Sequence, residues 1–239
     1  MKALILAAGF GLRLAPLTND LPKSLVPVNG KPILVKQLEN LYANGIDDIT
    51  VISGYKAEIM EETIGKQFPD VKFIRSVDYA TTNNMYSAFL AREAMGSSPF
   101  LMMNADVFFD ASVITALIND PAENAIVTEK DTYIEESMKV VEENGRLMRI
   151  AKTITADEAL GVSIDVYKFS PDGAKAFFDK CSQYINDRGE LKLWSEVALN
   201  DILPEVVFTA CPLEGRWLEI DNMDDLAAAE ALFACEADA

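Results

Sequence analysis

The sequence predicts an α/β fold: a mostly parallel sheet covered by helices on both faces. Two observations predict it. Through the first half of the 239-residue chain, short apolar runs alternate with helical patterns, and such βαβα alternation feeds parallel strands through helical crossovers. Half of the residues are hydrophobic, and a chain of this length buries roughly 70–75% of its unfolded surface without disulfides or a structural metal.

The elements follow in order. Residues 3–8 are short and continuously apolar, as a strand buried on both faces must be. The run is too short for a signal peptide and passes straight into a glycine-rich loop. That loop extends from Gly9 to about Gly30. Lys31-Pro32 opens a helix that buries Ile33, Leu34, Leu38 and Leu41 and stops at Gly45. Strands are expected at 49–53, 71–75, 100–104 and 125–128, with helices over 57–68, 84–95 and 112–119. The rhythm then changes. Segments 138–142 and 146–151 flank Asn144-Gly145, which favours a type I′ hairpin. Residues 161–169 alternate as a strand. Helices are expected over 170–185, 194–203 and 224–233, with a strand at 206–210 between the last two. Residues 235–239 are expected to fray. With no linker or repeat, 1–239 reads as one domain, and 130–165 as a substrate-binding elaboration of its sheet.

The charge bounds the function. Twenty-one basic and 38 acidic side chains give −17 at pH 7, which repels nucleic-acid polymers. There is no histidine, so Ser-His and Cys-His mechanisms and His-ligated metals are excluded. Cys181, Cys211 and Cys235 are widely spaced, with no CxxC pair. They read as reduced thiols of a cytoplasmic protein. No apolar run approaches the ~20 residues of a membrane span.

The loop GFGLRLAPLT (9–18), followed by Pro22-Lys23, carries the strongest signal. Gly9 and Gly11 permit close backbone approach just past a strand's carboxyl end, where open α/β sheets bind ligands. Arg13 and Lys23 are cations suited to a polyphosphate. The spacing fits neither G-x-G-x-x-G nor a P-loop. Two spaced glycines alone also fit a plain turn.

The whole run LAAGFGLRLAPLTNDLPKSLVPVNGKPIL (6–34) resembles the signature of the nucleotidyltransferases that make sugar nucleotides and CDP-alcohols. Their pattern is a strand, G-x-G-[ST]-R-[LM]-x-P-L-T, then P-K-x-[LM], then K/R-P-[IL]. Leu12 departs from it, since the family carries serine or threonine there. Asn104-Ala105-Asp106 and Glu219-Ile220-Asp221, before Asp224-Asp225-Leu226, resemble the family's two metal-binding segments. By themselves, Asp106 also fits a strand-end turn and Asp221 a helix N-cap. Where sugar-phosphate members carry a glycine-rich stretch, this chain has YATTNNMYSAFLA (79–91). That string and Gly161-Val162-Ser163 resemble the branch that uses CTP to activate phosphocholine or 2-aminoethylphosphonate. Asn83 and Asn84 are equally good helix N-caps.

The resemblance implies a Rossmann-like three-layer α/β/α fold with a mostly parallel mixed sheet. It implies Mg²⁺-dependent transfer of CMP from CTP to a small phospho-alcohol or phosphonate with a cationic head, releasing pyrophosphate. Asp106 and Asp221 would hold Mg²⁺. Lys23 would bridge the α-phosphate and the acceptor phosphate. Arg13 and the backbone of Gly9 and Gly11 would hold the β- and γ-phosphates, and Ala7, Ala8, Asn84 and Ser87 would lie near base and ribose. The acceptor phosphate is already ionised, so the lack of histidine is no obstacle. A cationic head needs aromatic faces and carboxylates; the candidates are Glu129, Tyr133, Trp194, Trp217 and Glu219, with Lys152 for the acceptor phosphate. Each of these also fits a core or solvated position. The alternatives are a sugar-1-phosphate nucleotidyltransferase and a non-catalytic regulatory domain of the same fold. Such regulatory domains tend to lose the phosphate lysine or a metal aspartate, whereas Arg13, Lys23, Asp106 and Asp221 are all present.

Overall fold

The computed structural model describes residues 1–234; Cys235 and the tail for which fraying is expected lie outside the described residues. Strand β1 (Lys2–Ala7) enters a loop of 3₁₀ turns and a two-residue ladder, β2 (Pro27–Val28) with β3 (Lys31–Pro32). Then follow α1 (Ile33–Ala43), β4 (Ile49–Ser53), α2 (Ala57–Gln67), β5 (Lys72–Arg75), α3 (Asn84–Leu90), α4 (Arg92–Met95), β6 (Phe100–Asn104), β7 (Val107–Phe109) and α5 (Ala111–Asn119). The second half holds β8 (Ala125–Lys130), β9 (Lys139–Glu143), β10 (Arg146–Ala151), β11 (Gly161–Phe169), α6 (Pro171–Ser182), α7 (Ser195–Ile202), β12 (Thr209–Pro212), β13 (Trp217–Glu219) and α8 (Met223–Leu232).

The main sheet runs β12–β8–β11–β6–β1–β4–β5, and the β9–β10 hairpin joins the front half of β11. β11 is antiparallel to both neighbours; β6, β1, β4 and β5 are mutually parallel, and so are β8 and β12. β1 shows why its run is apolar throughout. Leu4 and Leu6 enter the core under α3, α6 and α7, while Ala3, Ile5 and Ala7 enter the core under α1, α2 and α5. Strand order reverses at β1, with β4 on one side and β6 on the other. The crevice past the carboxyl ends at such a reversal is where open α/β sheets bind ligands.

Several expectations are corrected. The helix expected over 84–95 breaks at Ala91 into α3 and α4. The strand expected at 206–210 lies at 209–212, where β8 offers a parallel partner. Past α6 the backbone widens into a π turn, Gln183–Asp187. The hairpin is as expected: Asn144 and Gly145 have φ of 53° and 76°, the left-handed pair a type I′ turn requires. Cys181 and Cys211 are buried and free. No helix among the described residues is long and apolar enough to cross a membrane.

Candidate active site

The glycine loop fixes a lysine. Gly11 has φ of +64°, and a Cβ there would stand 2.6 Å from Lys23 Cβ. The glycine makes room for the lysine stem. Thr18 Oγ1 donates to the Gly11 carbonyl at 2.9 Å, and the Tyr55 hydroxyl donates to the Thr18 carbonyl at 3.0 Å. So held, Lys23 Nζ donates to Asp106 Oδ2 at 2.8 Å and Asp221 Oδ1 at 2.6 Å. Arg13 pairs with the other Asp221 oxygen at 2.7 Å.

Short elements set the carboxylates. Asp106 occupies the turn between β6 and β7, and Gln37 of α1 clamps that turn by donating to the carbonyls of Asn104 and Val107, both at 2.8 Å. Asn40, one helical turn on, donates to the Phe109 carbonyl at 2.8 Å. β7 pairs antiparallel with β13, Val107 opposite Glu219, and the Ile220 N–H donates to the Asp106 carbonyl at 2.9 Å. Asp106 and Asp221 therefore meet although they are 115 positions apart in the sequence. The helix N-cap is Asn222, which forms a reciprocal capping box with Asp225. Asp221 is released from the capping role and faces Lys23.

Burial opposes the Lys23 charge, but Asp106 and Asp221 outweigh it and hold the ammonium above its usual range. Burial likewise opposes ionisation of Asp221, and Lys23 with Arg13 reverses it, keeping that carboxyl low. Burial, then Asp106 and Asp221, push Glu219 up to about 7. Asp106, Glu219 and Asp221 present oxygens within 4.8 Å of one another. Asp106 Oδ1 is buried with no hydrogen-bond partner. Converging hard oxygens, one of them unpaired, fit a divalent cation such as Mg²⁺.

These groups border a cavity of about 280 Å³ beyond β1 and β6. Of the residues expected at the site, Ala7, Ala8, Gly9, Arg13, Lys23, Asn84, Ser87, Asp106, Lys152, Trp194, Glu219 and Asp221 line it. Gly11 stands behind Lys23. Three acceptor candidates, Glu129, Tyr133 and Trp217, are not among the lining residues. Glu129 accepts from the Trp217 indole at 2.9 Å. Tyr133, 45% exposed, packs its ring against the Lys139 ammonium at 5.0 Å. Asn83 is the cap of α3, and the Asn84 side chain instead accepts from the Ser195 N–H at 2.8 Å. The Lys152 ammonium lies 5.1 Å over the Trp194 ring.

Among the lining groups that escaped the sequence reading are Ser24, Asp165 and Glu196. Ser24 Oγ is buried without a partner. Asp165 sits where the β11–β8 register slips between Ser163 and Tyr167, with φ of +58°. A bulge of this kind re-aims a side chain, here into the cavity. Glu196 projects from α7, one turn before Leu199 on its buried face. The Tyr167 hydroxyl lies 2.8 Å from Asp165 Oδ1 and 3.0 Å from Glu196 Oε1. Burial and then Glu196 and Glu219 raise Asp165 well above the usual carboxylate range; burial also raises Glu196. An acidic residue on an otherwise buried helix face was the available signal.

A Rossmann-like sheet with a lysine, an arginine and paired aspartates past its central strands defines a nucleotidyltransferase. The chain belongs to the nucleotidyl transferase family, whose pattern matches residues 2–144. It is 29% identical over 250 residues to the CTP:phosphoglutamine cytidylyltransferase of Campylobacter jejuni, covering 95% of this chain and 98% of that one. It is 37% identical over 143 residues to the mannose-1-phosphate guanyltransferase of Schizosaccharomyces pombe, covering 58% of this chain and 39% of the relative. The solved structure of the CTP:phosphocholine cytidylyltransferase of Streptococcus pneumoniae superposes with a TM-score of 0.84 at 26% identity, over 96% of this chain and 97% of that one.

Proposed function

We propose that this nucleotidyltransferase moves CMP from CTP to a small phosphate or phosphonate with a cationic head, of the phosphocholine or 2-aminoethylphosphonate type, releasing pyrophosphate. The observation that carries the reading is the Lys23 ammonium, 2.8 and 2.6 Å from Asp106 and Asp221 at a cavity also walled by Asp165, Glu196 and Glu219. A polyanion fits the cationic end and a cationic head fits the carboxylates. CTP is supported by the 79–91 segment, which lacks a glycine-rich stretch, and by the cytidylyltransferase relatives.

An acceptor oxygen attacks the α-phosphorus in line, and the bond to the pyrophosphate oxygen breaks. The nucleophile is ionised at neutral pH, so catalysis is positioning and charge neutralisation. Lys23 binds the α-phosphate and the acceptor phosphate between them. Arg13 and the backbone N–H groups of Gly9 and Gly11 hold the β- and γ-phosphates. Ala7, Ala8, Asn84 and Ser87 shape the base and ribose pocket. Lys152 draws in the acceptor phosphate, and Trp194 and Glu219 border its head. Asp106 and Asp221 would hold Mg²⁺, which when bound neutralises phosphate charge. Residues 1–239 act as one unit, in which 130–165 supplies Ser137, Met138 and Lys152 to the wall.

A panel of four nucleoside triphosphates against phosphocholine, 2-aminoethylphosphonate, glucose-1-phosphate and mannose-1-phosphate tests the reading. Pyrophosphate release is expected with CTP and a cationic acceptor, and Lys23→Ala is expected to lower kcat/KM by about 10²–10³-fold. Release only with a sugar phosphate refutes it in favour of the activity named for the Schizosaccharomyces relative. Unchanged turnover in Lys23→Ala refutes the catalytic assignment.

A further inference from the structure

We propose that Asp165 and Glu196 form the acceptor's head-group subsite and select a primary ammonium over a quaternary or a neutral head. The proposal rests on the cytidylyl-transfer reading above and adds residues and a substrate class to it.

The argument is one of charge and donors. Asp165 and Glu196 both line the cavity, and Glu196 is 3% exposed. Their protein partners are neutral. Asp165 accepts from Asn104 Nδ2 at 3.0 Å, and Glu196 accepts from Ser195 Oγ at 3.1 Å. The Tyr167 hydroxyl is within 3.0 Å of both carboxylates but has one proton to donate. Among the described residues, no lysine or arginine forms an ion pair with either. Lys23 is engaged by Asp106 and Asp221, and Lys152 lies over Trp194. Carboxylates withdrawn from water without a counter-cation are costly. A cation entering the cavity supplies the missing charge.

A separate observation marks this cavity as built for a ligand. Ser24, 3% exposed, lines the same cavity beside Lys23 with its Oγ unpartnered.

Hydrogen-bonding capacity then chooses the cation. A primary ammonium carries three N–H donors, which match carboxylate oxygens converging on one hydroxyl. A trimethylammonium has no N–H and is held by aromatic faces. The aromatic side chains lining this cavity are Tyr79 and Trp194. Tyr79 is stacked edge-on with Phe10 at 5.0 Å, and Trp194 is covered by Lys152. Among the described residues, no aromatic cage is assembled around the acidic floor.

The test uses the full chain with CTP, Mg²⁺ and three acceptors: 2-aminoethylphosphonate, 2-hydroxyethylphosphonate and phosphocholine. The first two differ only in the head. The wild type is expected to favour the amino compound over both others by at least about tenfold in kcat/KM. In Glu196→Gln and Asp165→Asn the amino-to-hydroxy ratio is expected to fall by at least about tenfold. CTP binding and thermal unfolding of each variant report folding. If the variants do not fold, wild-type selectivity decides: equal use of the hydroxy compound or of phosphocholine overturns the proposal. An unchanged ratio in folded variants overturns it too, while leaving cytidylyl transfer standing. Failure of CTP to release pyrophosphate with all three acceptors overturns the underlying reading and this proposal with it.

Discussion

Replacing Gly11 by alanine separates two roles for the glycine loop: bare backbone for a phosphate, or space for Lys23. The backbone at Gly11 has φ of +64°, a conformation that costs an alanine roughly 1–2 kcal/mol. The new Cβ would lie 2.6 Å from Lys23 Cβ, against an ordinary carbon contact of roughly 3.5 Å, so the two must part by about 0.9 Å. Lys23 Nζ then leaves its 2.6 and 2.8 Å contacts with Asp221 and Asp106. A displacement of that size at a catalytic group can cost on the order of 10²-fold in rate. Stability should fall by about 2–3 kcal/mol, a drop in Tm of roughly 4–12 °C for a chain of this size. Continuous pyrophosphate release and a thermal melt measure the two effects. The variant is expected to be folded at 25 °C and about 100-fold slower. Wild-type kcat/KM with only the Tm lowered would refute the claim that Gly11 serves Lys23.

Three further outcomes are expected. Gln37→Leu leaves the Asn104 and Val107 carbonyls without their buried donor and should cost about 2–3 kcal/mol; turnover should fall with it as the Asp106 turn loosens, and a variant matching wild type in both melt and turnover counts against the clamp. Asn222→Ala removes the capping box and should cost about 1 kcal/mol, read from denaturant unfolding. For Asp110, hydrogen bonds from the Arg216 guanidinium outweigh burial and hold the carboxyl below its usual range. Its contribution is therefore complete above the unfolded-state value near 4 and lost as pH falls through the lower folded value. Asp110→Asn should lower Tm at pH 7 by an amount worth about 1 kcal/mol, and the difference from wild type should shrink as pH is taken below about 4, as melts across that range will tell.

The sequence exposed what is repetitive or tightly spaced. Strands 49–53, 100–104 and 161–169 lie at the expected residues because apolar runs of that length between turn signals leave little choice. The break at Ala91 carries no glycine or proline, so the helical period ran straight through it. β7 and β13 are three residues each, too short to show a period, yet they bring Asp106 to Asp221. The phosphate end of the site was legible because its residues cluster in one loop. The acidic floor was not. Asp165 reads as the polar member of an alternating strand until a bulge turns it inward, and Tyr133 and Glu129 looked equally suitable until packing assigned them elsewhere.

Lys23 and Asp221 are 198 residues apart in sequence and 2.6 Å apart in space. The helix after Asp221, α8, is anchored by Leu226 and Ala229 in the smallest of the three cores among the described residues, formed with the loop strands rather than with the central sheet. Elements with few apolar anchors open first in native-state fluctuations. Detachment of this one helix would withdraw Asp221 while the sheet stayed whole. Catalytic competence is thus tied to a peripheral subglobal unit. On gentle heating or in mild urea, turnover should decline before the circular dichroism of the sheet does, and hydrogen exchange should find the amides of α8 among the first to open.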